Sequence, residues 1–166
     1  MDTGSHDPTV KKSSAAQIDI DTLPGHYIRR LQQIAVAVFL EETEAFSITP
    51  VQFAALQTVR RQPGLDQRTL AATIGFDTST IAGVIDRLER RELIRRSASL
   101  DDKRVRLLTL TAAAETLLDE LVPGMLRAQQ RMLAPLPAAD RVRFMAMLKT
   151  LVEANNELSR APSDVQ

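Results

Sequence analysis

Thr78, Ser79 and Thr80 place three hydroxyls in a row, and Gly83 and Arg87 follow on the same stretch. A surface of this kind is slim enough to enter a groove, and it offers hydrogen bonds to base edges or phosphates. An ordinary bundle helix gains more from Glu, Lys and Ala at exposed positions. First-turn capping explains one of the hydroxyls more readily than all three. Downstream, the polar run Ser99-Leu100-Asp101-Asp102-Lys103-Arg104 ends in two cations. An Arg protruding there can enter the narrow, electronegative minor groove of a duplex. Asp102 would repel phosphate, so its use is to fix Arg104 or to brace the loop against Arg95 or Arg96.

These groups need elements to hold them. The sequence predicts a short helix over 67–74, a break at Gly75-Phe76, and a helix over 78–91 with Asp77 as N-cap. Ala71 supplies a small residue at a close helix crossing, and Gly75 supplies the tight turn. Leu70, Ile74, Phe76, Ile81 and Val84 can lock the angle. Apolar spacing alone leaves a helix-turn-helix and a plain αα-hairpin about even, and the exposed hydroxyls favour the former. Two strands are expected next, 93–97 and 106–110, joined by a charged loop. A helix-turn-helix followed by such a hairpin is a winged helix.

On either side lie amphipathic helices. One runs from Leu23 through Tyr27, Ile28, Leu31, Ile34, Val38 and Phe39, with Pro24 near its start. A second is capped by Thr49 ahead of Pro50, turns Phe53, Leu56 and Val59 inward, and is stopped by Gln62-Pro63-Gly64. After the hairpin, Thr111 can cap a long helix bearing Leu117, Leu118, Leu121, Met125 and Met132. Pro123 within it predicts a kink or local break near 119–123. A last helix over 138–158 is expected to bury Val142, Met145, Leu148, Leu151 and Val152. The fold class is therefore mostly α with a small β-hairpin wing, a winged helix-turn-helix flanked by N- and C-terminal dimerisation helices. A flexible tail is expected at 1–20, a dimerisation helix within 21–45, the winged helix at 46–110, dimerisation helices within 111–160, and a second tail at 161–166. A homodimer follows because the apolar faces of the outer helices exceed what a winged helix can cover.

The chain has 166 residues and no net charge, with 21 basic and 21 acidic groups, which taken whole counts against nucleic acid. By segment the balance is uneven. Residues 1–45 carry 4 basic and 7 acidic groups, residues 46–110 carry 11 and 7, and residues 111–166 carry 6 and 7. The excess of cations lies in the winged helix, where Arg87, Arg90, Arg91, Arg95, Arg96, Lys103, Arg104 and Arg106 cluster. Such a run is also what a solvated, salt-bridged face looks like. Cys is absent, which excludes disulfides, thiolate metal sites and thiol redox switching. With no His-Glu-x-x-His, Gly-x-Ser-x-Gly or Gly-rich phosphate loop, no enzyme and no metal site is expected. Asp19-x-Asp21 falls at the expected tail and is read as solvated. No apolar run approaches the roughly 18 residues that span a bilayer, and the polar start lacks a secretory pattern, so a cytoplasmic location is expected.

The run Leu88-Glu89-Arg90-Arg91-Glu92-Leu93-Ile94-Arg95-Arg96, then Asp102-Lys103-Arg104 and Leu107-Leu108-Thr109-Leu110-Thr111, resembles the MarR family of bacterial transcription regulators. The likeness extends from Leu23 to about Asn155. Glu92 departs from it, since the family usually has Gly where a left-handed helix end is needed. The resemblance implies a homodimer with interlocked first and last helices, two winged helices on a pseudo-palindromic operator, and half-sites roughly 34–36 Å apart. Repression of transcription would be released by a small aromatic acid bound between the dimer helices and the winged helix, with no cofactor. DNA contacts then fall to Thr78, Ser79, Thr80, Gly83, Arg87, Lys103 and Arg104, with Asp102 orienting Arg104. For the effector, His26 or Arg30 can pair a carboxylate, with Tyr27 and Phe53 as lining. Alternatively, Arg29 and Arg30 are solvated, Tyr27 is core and His26 caps a helix end. The N-terminal stretch is also similar to regulators of aromatic-acid catabolism, including hydroxynicotinate-responsive repressors. The competing class is a winged helix that binds an acidic protein without an effector.

Overall fold

A computed structural model describes residues 18–158. The tails expected at 1–20 and 161–166 lie outside the described residues, apart from 18–20, where Ile20 opens a short 3-10 turn. Asp19 caps that turn through the N–H of Asp21, so the pair is structural at its first member. Among the described residues the order is α1 Pro24–Glu42, α2 Pro50–Arg61, α3 Gln67–Ile74, α4 Thr78–Arg90, β1 Ile94–Ala98, β2 Arg106–Leu110, α5 Ala112–Leu133 and α6 Ala138–Ala154. This is the mostly helical winged architecture that the sequence predicts.

The helix ends are set by local chemistry. Thr49 and Gln52 form a reciprocal capping box at α2, with Pro50 in the first turn. Asp66 opens α3 by accepting the N–H groups of Arg68 and Thr69 at 2.8 and 3.0 Å. Gly75, at φ +71°, closes α3, and the N–H groups of Gly75 and Phe76 reach back to the carbonyls of Ala72 and Ala71. The same motif ends α4 without a glycine. Glu92 sits at φ +57°, its N–H bonds the carbonyl of Glu89, and the N–H of Leu93 bonds that of Leu88. The departure from Gly therefore keeps the turn and costs backbone strain. It also moves β1 one residue past the predicted 93–97, because the N–H of Leu93 is spent on the helix end. Thr111 caps α5 through the N–H of Ala114 and donates its hydroxyl to the carbonyl of Glu92 at 2.7 Å, pinning that turn.

β1 and β2 pair antiparallel from Ile94 opposite Leu110 to Ala98 opposite Arg106. A short segment that the sequence does not announce extends the pairing. Gly64 N–H bonds the carbonyl of Leu108 at 2.8 Å, Leu108 N–H bonds that of Leu65 at 2.9 Å, and Asp66 bridges Leu107. The core gathers under this sheet, where Leu56, Val59, Leu70, Ile81, Ile85 and Leu108 are buried.

Two expectations for the outer helices need correction. Of the kink or local break expected at Pro123, the break does not occur, since α5 runs continuously from Ala112 to Leu133. The missing N–H removes one helical bond, while Leu118, Leu121, Gly124 and Ala128 are buried on both sides of it and hold the helix together. Gly124 lets α5 touch the end of α1, since a Cβ there would lie 2.5 Å from the carbonyl oxygen of Glu42. Arg127 and Arg131 close the crossing on the Glu42 carboxylate at 3.0 and 3.4 Å. The second correction concerns the bound of α6, which ends at Ala154 and not at 158; within the single chain it buries none of its residues. Val142, Met145, Leu151 and Val152 are exposed and Leu148 is half-buried, because α6 packs little against its own protomer. No helix among the described residues is long and apolar enough to cross a membrane.

Candidate nucleic-acid interface

The helix-turn-helix is α3, the Gly75 turn and α4. The N-terminal end of α4 is exposed at Thr78, Ser79 and Thr80. Asp77 organises it. Its carboxylate accepts the Ser79 hydroxyl at 2.5 Å, the Thr80 hydroxyl at 2.7 Å and the Thr80 N–H at 2.8 Å. These donors, the Ser79 hydroxyl foremost, hold the Asp77 carboxyl well below its ordinary value. A carboxylate can only accept, so both hydroxyl hydrogens point to Asp77 and the oxygens offer lone pairs outward. Capping thus involves two of the three hydroxyls, and Thr78 is the one left out of it. The carbonyl of Thr78 takes a bond from Gln67 of α3, which ties the two helices at this end. One turn on, Gly83 leaves room beside the exposed Arg87, whose Nη1 would lie 3.6 Å from a Cβ at that position.

The wing loop is built as the sequence suggests. Ser99 closes it through the carbonyl of Val105, and its hydroxyl accepts the N–H of Asp101. Asp102 binds Arg104 three times, at the backbone N–H (2.9 Å), Nε (3.1 Å) and Nη2 (3.0 Å). The side chain of Arg104 is nonetheless 91% exposed, fixed in direction and open to a ligand. Arg104 in turn holds the Asp102 carboxyl below its usual range. Asp102 thus takes Arg104 and makes no ion pair with Arg95 or Arg96.

Sequence reasoning missed how the other cations are divided. Arg96 turns toward α4, binding the carboxylate of Asp86 and placing Nε 3.3 Å from Glu89. Arg91 reaches across to the turn between α1 and α2, donating to the carbonyls of Ser47 and Phe46 at 2.7 and 3.0 Å. The Arg91 link joins residues more than forty apart in sequence, and the Arg96 link joins neighbouring elements ten or fewer residues apart. For Arg96 the signal was its residue type with Asp86 and Glu89 one helical turn apart; Arg91 binds backbone carbonyls and gave none.

The residues suggested for an effector separate into two places. Tyr27 and Arg30 line a groove of about 610 Å³ between α1 and α6, with Leu31, Phe144, Leu148 and Leu151. His26, one residue before Tyr27, meets that ring edge-on at 5.6 Å, and its Nε2 lies 3.9 Å from Asp21. Phe53 is elsewhere, its ring against Phe39 at 5.9 Å, and does not line the groove. The contribution of α6 to the groove was not foreseen, although the apolar repeat over 142–152 was the signal for it. Among the described residues no cluster of His, Asp and Glu is arranged to hold a metal.

Comparison with known proteins places these features in context. The MarR family model matches residues 48–105. The HTH-type transcriptional repressor NicR of Pseudomonas putida is 26% identical over 152 residues, covering 87% of this chain and 96% of that protein. The structure of the PcaV transcriptional regulator of Streptomyces coelicolor with its natural ligand is 36% identical, with a TM-score of 0.77, over 84% of this chain and 98% of that one. A structure addressing regulation of DNA binding of Bordetella bronchiseptica BpsR by 6-hydroxynicotinic acid is 30% identical. It also has a TM-score of 0.77, over 81% of this chain and 96% of that one.

Proposed function

The chain belongs to the MarR family of transcriptional regulators, and we propose that it represses transcription as a homodimer on a pseudo-palindromic operator and is released by a small aromatic acid. The observation that carries the DNA part is the pairing of an exposed, hydroxyl-lined α4 terminus with an adjoining wing whose Arg104 is pre-aimed and solvent-facing. Thr78, Ser79, Thr80, Gly83 and Arg87 face the major groove, and Lys103 and Arg104 take the minor groove and phosphates. Residues 46–110 bind DNA, while α1, α5 and α6 form the dimer. Support for the dimer comes from Ile28, Ile34, Val142, Met145 and Leu151, which are apolar and exposed in a single chain. Two-fold symmetry then sets the two α4 helices one DNA turn apart, about 34–36 Å.

The effector reading rests on Arg30 in an otherwise apolar groove beside Tyr27, where a flat acid gains an ion pair and ring contact together. NicR, PcaV and BpsR are relatives for which repression or small-molecule binding is described, and a hydroxylated aromatic carboxylate is the class proposed here. His26 assists from the edge of the Tyr27 ring. Release requires that the acid bind the DNA-incompetent arrangement more tightly than the competent one. The chain has a mechanical route for this. α1 leads into the Phe46-Ser47 turn, and Arg91 at the end of α4 grips that turn.

The test is a thermal-shift screen of aromatic acids followed by operator titration. An effector raises apparent stability by mass action and lowers operator affinity. Arg30→Ala removes the response to the acid and keeps operator affinity. If Arg30→Ala leaves the response intact, the effector lies elsewhere. Binding of an acidic protein in place of DNA would favour the interaction-module reading.

A further inference from the structure

We propose that Arg96 serves DNA binding without touching DNA, as the positioning residue that sets the wing against the recognition helix α4; this rests on the DNA-binding reading above. The sequence places Arg96 in the basic run with Arg95, Lys103, Arg104 and Arg106, where it is one more cation and a candidate brace for Asp102. The structure gives it different work. Side chains alternate along β1, so Ile94, Arg96 and Ala98 share one face and Arg95 points the other way. Ile94 is buried, Arg96 is 26% exposed and Ala98 is exposed. Arg96 is therefore the last side chain on this face of β1 to meet the body before the wing projects into solvent.

Its guanidinium makes two contacts on α4. Nη2 binds the carboxylate of Asp86, and Nε, shielded from solvent, lies 3.3 Å from the carboxylate of Glu89. Asp86 and Glu89 are three residues apart, so their attachment points are separated by roughly 4.5 Å along the helix axis. A planar guanidinium hydrogen-bonded to Asp86 and drawn by charge to Glu89, with no hydrogen bond at Nε among the described residues, has two neighbours on α4 that oppose its rotation as well as its displacement. Across the wing, β2 is held by the 64–66 segment at Leu107 and Leu108, which leaves Arg106 and the loop beyond it unattached on that side. The wing tip with Arg104 would otherwise swing about the Ile94–Leu110 end of the hairpin. Positioning matters because α4 and Arg104 must reach adjacent grooves of one duplex at the same time. A wing free to swing must be ordered on binding, which lowers affinity without removing a contact.

The phosphate-contact and positioning roles differ in salt dependence. A residue that neutralises a phosphate contributes about one unit to the slope of log K against log salt. A brace contributes affinity and leaves the slope alone. The experiment measures operator affinity of the full-length dimer at several salt concentrations for wild type, Arg96→Met, Arg104→Met and the charge-exchanged pair Arg96→Asp with Asp86→Arg. Thermal stability is recorded for each. We expect Arg96→Met to lose about tenfold in affinity with the slope unchanged. It should also lose minor-groove protection by the wing while keeping major-groove protection by α4. Arg104→Met, which removes one cation from each of the two wings, should reduce the slope by about two. The exchanged pair should recover at least threefold of the loss, and Arg96→Lys, which keeps the charge but not the planar guanidinium, should fall between. A slope reduced by about two in Arg96→Met, one for each protomer, overturns the proposal, since Arg96 then contacts phosphate. It is also overturned if both protections weaken equally and neither Lys nor the exchange rescues. If wild type binds no duplex specifically, the DNA reading fails and this proposal fails with it.

Discussion

Replacing Glu92 by Gly should stabilise the protein even though it removes a side chain. Glu92 holds φ +57° at the end of α4, where the two backbone bonds from Glu92 and Leu93 close the helix and Leu88 and Leu93 are both buried. A left-handed conformation costs a non-glycine residue about 1–2 kcal/mol. Gly removes that cost but returns about 0.4–1 kcal/mol through the freer unfolded chain. The Glu92 side chain is exposed and makes no hydrogen bond or ion pair among the described residues, so nothing else is lost. The net expectation is a gain of about 0.5–1 kcal/mol. The Thr111 hydroxyl keeps its bond, because it goes to the Glu92 backbone carbonyl. The assay is equilibrium urea unfolding at fixed protomer concentration, read as a shift in midpoint at constant slope. Glu92→Ala is the control, since it removes the same charge and keeps the strain. It should change stability little. If Gly and Ala behave alike, or Gly destabilises, the strain argument is wrong.

Gly124→Ala should destabilise the protein by about 1–3 kcal/mol despite the better helix propensity of Ala, because the added carbon meets the Glu42 carbonyl and pushes α1 from α5; urea unfolding measures it. In acid, the α3 and α4 caps weaken. Burial raises the Asp66 pKa, but the N–H groups of Thr69 and Arg68 and the Thr69 hydroxyl outweigh it and bring the carboxyl below its ordinary value. Asp77 is lowered by the Ser79 and Thr80 donors. A depressed native pKa gives stability that is complete above about pH 4 and is lost as the pH falls further, so Asp66→Asn and Asp77→Asn should each flatten the decline in acid-unfolding curves. Because the Ser79 and Thr80 hydrogens are committed to Asp77, these oxygens should favour half-site positions presenting the amino group of cytosine or adenine. Selection from a randomised half-site should show a base preference under this end of α4 that is lost in Ser79→Ala, whereas a preference unchanged by Ser79→Ala would contradict it.

Much of this structure is local chemistry and was legible. Thr49, Asp77 and Thr111 cap the helices that the sequence assigns to them, and Gly75 turns the chain between α3 and α4. Asp102 and Arg104, two residues apart, meet as their spacing suggests. What escaped depends on distant partners. The apolar stripe of α6 reads the same whether it packs on its own chain or on another, so the sequence does not say which of the two covers it. Phe53 was legible as an inward residue of α2, but its neighbour Phe39 comes from α1, and pairwise contact of that kind has no periodic signature. The segment 64–66 is too short to show alternation, and only its bonds to Leu107 and Leu108 make it strand-like. The charge run concealed Arg96 and Arg91, since solvated, bridging and phosphate-binding arginines are identical in sequence.

The most direct measurement is the affinity of the full-length protein for the DNA upstream of its own gene, titrated across salt and compared with a scrambled duplex of equal length. Specific binding should be at least about a thousandfold tighter than binding to the scrambled duplex. It should weaken linearly in log salt with a slope of several, shared between the two wings and the two α4 helices. Equal affinity for both duplexes, or binding that ignores salt, would contradict a sequence-reading winged helix.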